Sequence, residues 1–214
     1  MSAVEAVQRC WCDVATRQGC AKQAAADALT SIIAAYQEPH RHYHTLEHVA
    51  ALLALLERHI TGGSDRDALI LAILLHDAVY DPARQDNEEA SSQLAADLLT
   101  RLGFSPPLTT KVVRCILATR HDQPAQAADD LDAALLVDLD LSILAAAPAA
   151  YRAYAQAIRR EYAFVPDPLY REGRRRVLEA FLARQSIYRT ARLRDAWERA
   201  ARANVARELA ELVS

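Results

Sequence analysis

The sequence has few of the residues that build turns and sheets, and it has no long apolar run. Only 5 of its 214 residues are glycine and 6% are aromatic, while 52% are hydrophobic, chiefly alanine and leucine. This composition disfavours a protein made of hairpins and favours helices. No apolar run approaches the roughly 20 residues needed to span a bilayer, and the N-terminus lacks a secretory pattern. We therefore expect an all-α, cytoplasmic protein without a membrane partner.

The cysteines and the charge argue against two further classes of protein. The four cysteines, at positions 10, 12, 20 and 115, form no CxxC pair, so reduced thiols are expected rather than a cysteine-based zinc site. The net charge of −3 argues against a general nucleic-acid partner. The length allows one large domain or two small ones, and we expect one domain over residues 1–214.

Helical spacing, caps and breakers predict a series of helices with no strand between them. The segment DALILAILLH, residues 67–76, is apolar on all sides, which predicts a central helix buried on most faces. Leu94 and Leu98 are expected to face inward on a helix that Asn87 caps, and the Pro106-Pro107 pair predicts a loop. The other helices are expected at 4–17, 22–36, 46–61, 109–119, 129–144, 149–164, 170–183 and 193–212.

Two short stretches concentrate ligand-type side chains. EPHRHYHTLEHV, residues 38–49, carries four of the seven histidines, and His48 falls in the first turn of a helix that Thr45 can cap. His76 and Asp77 end the apolar helix, where an ionisable pair is costly to bury unless it is hydrogen-bonded or binds a cation. A solvated helix end is the alternative for this pair.

A third stretch, ALLVDLDLSIL, places Asp138 and Asp140 in another apolar segment. Two imidazoles and two carboxylates from three helices would make a mixed nitrogen and oxygen site, which suits Mn²⁺, Fe²⁺, Co²⁺, Ni²⁺ or Mg²⁺. Such a metal can activate a water and hold a phosphoryl oxygen.

These motifs resemble those of the HD superfamily of metal-dependent phosphohydrolases, an all-α family named for its His-Asp dipeptide. YHTLEHV is similar to the YHNxxHA element of cyclic nucleotide phosphodiesterases. Six segments, PHRHYHTLEHV, LLHDAVYDP, DNEEAS, DLDLSIL, IRREY and GRRRVL, resemble a bacterial group of predicted HD phosphohydrolases over about residues 30–190. The resemblance implies a helical bundle with a metal-site core at about 30–145, on which helices at 149–214 pack.

The resemblance implies that His48, His76 and Asp77 are metal ligands. LDLSIL matches the position of the superfamily's last ligand, which points to Asp140 as the fourth. Asp138 lies roughly 200° away around a helix, so both carboxylates cannot face the metal without distortion, and Asp138 remains an alternative or outer-shell ligand. One metal ion is expected, and a second is left open.

His44 and Asp77 are expected to take part in catalysis. His44 precedes His48 by one helical turn, so its ring would lie about 6 Å away if the helix begins early enough. The resemblance implies that His44 is the proton donor to the leaving group. The alternative is a loop histidine that caps the helix or hydrogen-bonds a carboxylate. Arg41, His42 and His121 are candidate substrate contacts, and Asp81 is a candidate outer-shell acceptor.

The expected function is hydrolysis of a phosphoester or phosphoanhydride bond in a small, nucleotide-like substrate by a metal-activated water. A non-catalytic helical protein that binds a metal or nucleotide as a sensor is the alternative. Whether the chain forms a homo-oligomer is left open.

Overall fold

The computed structural model describes residues 1–120 and 130–213, and within these ranges the chain is helical without a strand. The all-α prediction is confirmed. The α-helices and one 3₁₀ helix are, in chain order, α1 (Ala3–Arg17), α2 (Lys22–Ala35), α3 (Leu46–His59), α4 (Arg66–Leu75), α5 (Asn87–Arg101), α6 (Pro106–Leu117), α7 (Leu131–Asp140), the 3₁₀ helix (Leu141–Ala145), α8 (Pro148–Glu161), α9 (Asp167–Ala183) and α10 (Ala191–Val213).

The chain divides into two compact units, Met1–Leu136 and Val137–Ser214, and the boundary falls within α7. In the first unit, α4 packs against α1, α3, α5 and α6. Every residue from position 68 to position 75 is at most 2% exposed. The prediction of a central helix at 67–76, buried on most faces, is therefore confirmed, while the prediction of a single domain remains a prediction.

The C-terminal carbonyls of α4 all find donors, although this helix end lies inside the unit. A helix leaves its last four carbonyls without intrahelical partners. Here the Ala72 carbonyl accepts from the His76 amide at 2.8 Å, and the Leu75 carbonyl accepts from the Ala78 amide at 3.2 Å. The Ile73 carbonyl pairs with Nδ1 of His76 at 2.9 Å, and the Leu74 carbonyl accepts from the Tyr36 hydroxyl at 3.2 Å. The helix can therefore end in the core and present His76 and Asp77 there.

Glycines end two of the helices of this unit. Gly19 and Gly103 follow α1 and α5 with φ of 71° and 81°, a left-handed conformation that glycine adopts without the cost of a Cβ clash.

Three expectations about helix boundaries and faces are wrong. Pro106 and Pro107 begin α6 instead of forming a loop, because proline fits the first turn of a helix, where its missing amide is not needed. Leu94 is 38% exposed, although Leu98 on the same helix is buried as expected. The helix predicted to run to position 144 changes at Asp140 into the 3₁₀ helix.

The second unit contains the 3₁₀ helix and α8 to α10. Helix α10 packs against α9 and the 3₁₀ helix, and α8 also packs against the 3₁₀ helix. Arg174 on α9 donates from Nε to Oε1 of Glu208 at 2.7 Å, and the Tyr151 hydroxyl donates to Oε2 at 2.5 Å. These partners satisfy charges that would otherwise be costly to bury.

Among the residues that the structure describes, no single helix is long and apolar enough to cross a membrane. One pair of helical segments, Leu131–Ala145 and Pro148–Glu161, has that length and composition together but is bent by 105°.

The burial of α4 predicts a large effect of truncating one of its leucines. Leu71 is 0% exposed, so Leu71→Ala should lower the free energy of unfolding by about 2–5 kcal/mol through lost burial and a residual cavity. Leu169→Ala is the control, because Leu169 is 65% exposed and its truncation should change stability by less than about 0.5 kcal/mol. Equal effects of the two variants in urea denaturation would contradict the central position of α4.

Candidate metal centre

His48 reaches the interior of the first unit from the first turn of α3. Helix α3 begins at Leu46, and the apolar stripe that includes Val49 and Leu52 is buried against α1 and α4. This packing turns the His48 side chain inward, where it is 3% exposed. An imidazole at this position needs polar partners, because none of the surrounding aliphatic side chains can supply a hydrogen bond.

His76 and Asp77 meet His48 at the C-terminal end of α4. Nε2 of His76 lies 3.3 Å from Nε2 of His48 and 3.1 Å from Oδ2 of Asp77. The third distance, from Nε2 of His48 to Oδ2 of Asp77, is 3.9 Å. The His76 side chain is 1% exposed and the Asp77 side chain 16%, so the three potential ligand atoms converge among largely buried side chains.

The hydrogen bond of His76 to the backbone decides which of its nitrogens can bind a metal. Nδ1 lies 2.9 Å from the Ile73 carbonyl, which can only accept, so Nδ1 carries the proton of the neutral ring. Nε2 then directs its lone pair toward His48 and Asp77. A backbone acceptor that orients a ligand histidine in this way is a regular feature of metal sites.

The three residues fit a divalent metal ion. Ligand atoms about 2.1 Å from a metal and at right angles to each other lie about 3 Å apart, close to two of the three distances here. Two histidines and one carboxylate on one side of an ion leave further positions for water or substrate, as in facial-triad sites. The donor set suits several transition metals and does not select one of them.

His44 lies beside this cluster although it precedes α3. The centroid of its ring is 6.0 Å from that of His48 and 4.1 Å from that of Tyr80, and the side chain is half-buried. The predicted spacing of about 6 Å was conditional on an early helix start. Helix α3 begins at Leu46, two residues after His44, so His44 is not part of it. A bend at 42–45 brings the His44 ring to this distance instead.

The comparison with protein families agrees with this geometry. The sequence model of the family described as HD domain matches residues 41–147, half of the chain, and this range includes His48, His76 and Asp77. The chain belongs to the HD superfamily of metal-dependent phosphohydrolases. Comparisons with curated proteins and with solved structures give no match.

Within this HD domain, Arg41 does not occupy the position expected of a substrate contact. Its side chain is 0% exposed and its guanidinium donates to backbone carbonyls, so a phosphate contact does not fit this placement. His42, the other candidate in the loop, is exposed. Its role as a substrate contact remains a prediction, and His121 lies outside the described residues.

Asp138 has a different task from the one expected of an alternative ligand. Its Oδ1 accepts from the Arg189 amide at 2.6 Å, and its Oδ2 accepts from the amide and hydroxyl of Thr190 at 2.7 and 2.6 Å. Burial raises the pKa of this carboxyl group, and the hydrogen bonds oppose that rise. Both oxygens are therefore engaged within the second unit, at the segment that leads into α10.

The other two carboxylates of the predicted set lie at the end of a helix and in a turn. Asp140 is the last residue of α7, and its role as fourth ligand remains a prediction. Asp81 is exposed, and its Oδ1 accepts from the Ala83 amide at 2.9 Å, which closes a local turn. A role as outer-shell acceptor does not fit that position.

The outer-shell group that the structure does supply is the Ile73 carbonyl, which sequence inspection missed. Ile73 precedes His76 by three residues, so a helix that ends there can bring its carbonyl to the ring. This hydrogen bond depends on backbone geometry alone. Every residue type has a backbone carbonyl, so the amino-acid sequence does not mark the residue that provides it.

The cluster predicts that Asp77→Ala should lose metal. Removal of the only carboxylate of the cluster should weaken Mn²⁺ binding by more than the roughly 10- to 100-fold caused by loss of an outer-shell partner. Metal content after equilibrium dialysis would measure the loss. Asp81→Ala is the matched control and should retain the metal content of the native chain, because its carboxylate serves a turn. Equal metal content in both variants would contradict the assignment of Asp77.

Proposed function

We propose that this HD protein hydrolyses a phosphoester or phosphoanhydride bond in a small, nucleotide-like substrate. The observation that carries the proposal is the convergence of His48, His76 and Asp77 within one HD domain. When bound, a divalent metal supplies two kinds of chemistry, activation of water and polarisation of a phosphoryl oxygen. The protein's own contribution is to hold the three ligands in fixed positions and to place a proton donor next to them.

The three ligands are held by different kinds of constraint. His48 is fixed by the packing of α3, and the ring of His76 by its bond to the Ile73 carbonyl. Asp77 follows the last turn of α4, and its side chain is the most exposed of the three at 16%. Substrate would therefore approach from the side of Asp77, while the two histidines form the inner wall.

His44 is in position to act on a leaving group bound next to the cluster. Its half-buried ring packs edge-on to Tyr43, with centroids 5.1 Å apart, and lies beside His48. A histidine can donate a proton to a departing alkoxide or phosphate oxygen within hydrogen-bond reach. The role of proton donor gives a reason for a third imidazole beside the two that belong to the cluster.

The nucleotide-like character of the substrate is supported by one motif only. YHTLEHV, which carries His44 and His48, resembles the corresponding element of cyclic nucleotide phosphodiesterases. The HD fold serves several phosphate chemistries, so both phosphoester and phosphoanhydride compounds are candidate substrates.

The proposal predicts hydrolysis of at least one compound in a small panel. The purified chain with added Mn²⁺ should release phosphate, pyrophosphate or nucleotide from a nucleoside mono- or triphosphate, a cyclic nucleotide, pyrophosphate or an aryl phosphate. Asp77→Ala, assayed in parallel, should release none above background. A chain that binds Mn²⁺ and hydrolyses no compound at any pH tested would favour the sensor alternative.

His44→Asn should separate metal binding from catalysis. Loss of a general acid lowers turnover by about 10²- to 10⁴-fold, so we expect a lower kcat with an unchanged Kd for Mn²⁺. His59→Asn is the matched control, because His59 ends α3, about 16 Å along the helix from His48, and its replacement should leave kcat unchanged. Native turnover in His44→Asn would remove this residue from the mechanism.

A further inference from the structure

Arg41 is a fully buried cation placed directly behind the metal-ligand cluster. Its side chain is 0% exposed. Nη1 donates to the Asp77 carbonyl at 2.7 Å, and Nη2 donates to the Ala78 carbonyl at 3.3 Å. The guanidinium thus holds the backbone of a proposed metal ligand.

The same guanidinium also holds the loop that carries the proposed proton donor. Nη1 donates to the His44 carbonyl at 3.3 Å, and Nε donates to Oε2 of Glu38 at 2.9 Å. One nitrogen, Nη1, therefore bridges the backbones of His44 and Asp77, which lie 33 positions apart in the sequence.

Two aromatic rings complete the surroundings of Arg41. The guanidinium carbon lies 5.1 Å from the ring centroid of Tyr36 and 5.3 Å from that of Tyr80. Both distances are within the range of cation–π attraction, which stabilises a desolvated arginine. Tyr36 also donates to the Leu74 carbonyl of α4, and Tyr80 packs on His44, so both rings belong to the elements that Arg41 connects.

This arrangement requires arginine and is not satisfied by lysine. A guanidinium has five N–H donors in a rigid plane, and the hydrogen bonds above involve all three of its nitrogens. A lysine ammonium is a point donor on a flexible stem and cannot reproduce the fork that reaches two chain segments at once. A residue whose only task was to neutralise Glu38, which is 45% exposed, would not need to be buried in this way.

We propose that Arg41 is a positioning residue that fixes His44 and the metal ligand Asp77 relative to each other. The inference rests on the proposed metal site, but it concerns metal affinity and geometry, which can be measured without a substrate. A role limited to general stability would predict no specific effect on the metal.

The test compares Arg41→Lys with Arg174→Lys, a substitution of another buried arginine. Arg174 also forks onto a carboxylate, that of Glu208, but it lies on α9 and does not belong to the cluster. For each variant we would measure the Kd for Mn²⁺, the visible spectrum of bound Co²⁺ and the midpoint of thermal unfolding.

Arg41→Lys should raise the Kd for Mn²⁺ by about 10- to 100-fold, as loss of an outer-shell partner does, and should change the Co²⁺ spectrum. Arg174→Lys should lower the unfolding midpoint and leave the Kd within about 2-fold of the native value. Glu38→Gln provides a second variant at a largely exposed side chain, in case Arg41→Lys does not fold, and should raise the Kd by a smaller factor than Arg41→Lys.

The proposal would be overturned by a folded Arg41→Lys with native Kd and Co²⁺ spectrum. It would also be overturned if Arg41→Lys and Arg174→Lys raised the Kd for Mn²⁺ by the same factor for the same loss of stability. A third contradicting outcome is an Arg41→Lys chain that does not fold together with a Glu38→Gln chain that binds Mn²⁺ as the native chain does. A native chain that binds Mn²⁺ but hydrolyses no substrate would refute the proposed function alone, because these measurements require no turnover.

Discussion

Helix α4 is buried on every side, so its C-terminal end must satisfy its polar groups inside the protein. The last four carbonyls accept from two backbone amides, the Tyr36 hydroxyl and the His76 ring. That ring therefore has two tasks at once, because its Nδ1 completes the helix and its Nε2 faces His48 and Asp77. The requirement to cap a buried helix thus orients the His76 ring. The same bond to the Ile73 carbonyl directs Nε2 of His76 toward the other two residues of the cluster.

The loop before α3 brings the remaining groups to the same point. Arg41 holds the carbonyls beyond α4, while His44 precedes and His48 follows the first residue of α3, with their rings side by side. Three otherwise unrelated features, a capped helix, a buried guanidinium and an inward helix turn, meet at the His48, His76 and Asp77 cluster. A substitution in any one of them should shift the positions of the others, because interiors packed at high density transmit small displacements.

The sequence allowed most of the helices and the three clustered candidate ligands to be found, because both depend on local patterns. In a chain whose other segments have helical spacing, the apolar run at 67–76 predicts a buried helix, and His76-Asp77 at its end stands out for that reason. Arg41 was misassigned because a charged loop residue next to histidines resembles a phosphate contact, and only the three-dimensional fold shows that carbonyls surround it. Asp138 was ambiguous for a similar reason, since its partners lie about 50 residues away, at Arg189 and Thr190.

The central claim is that His48, His76 and Asp77 bind one divalent metal ion. The most direct measurement is a crystal structure of the native chain with Mn²⁺, with the ion located by its anomalous scattering. The account predicts a peak within about 2.0–2.4 Å of Nε2 of both histidines and of a carboxylate oxygen of Asp77. A Mn²⁺ ion bound elsewhere, or a pocket without a peak at saturating Mn²⁺, would contradict it.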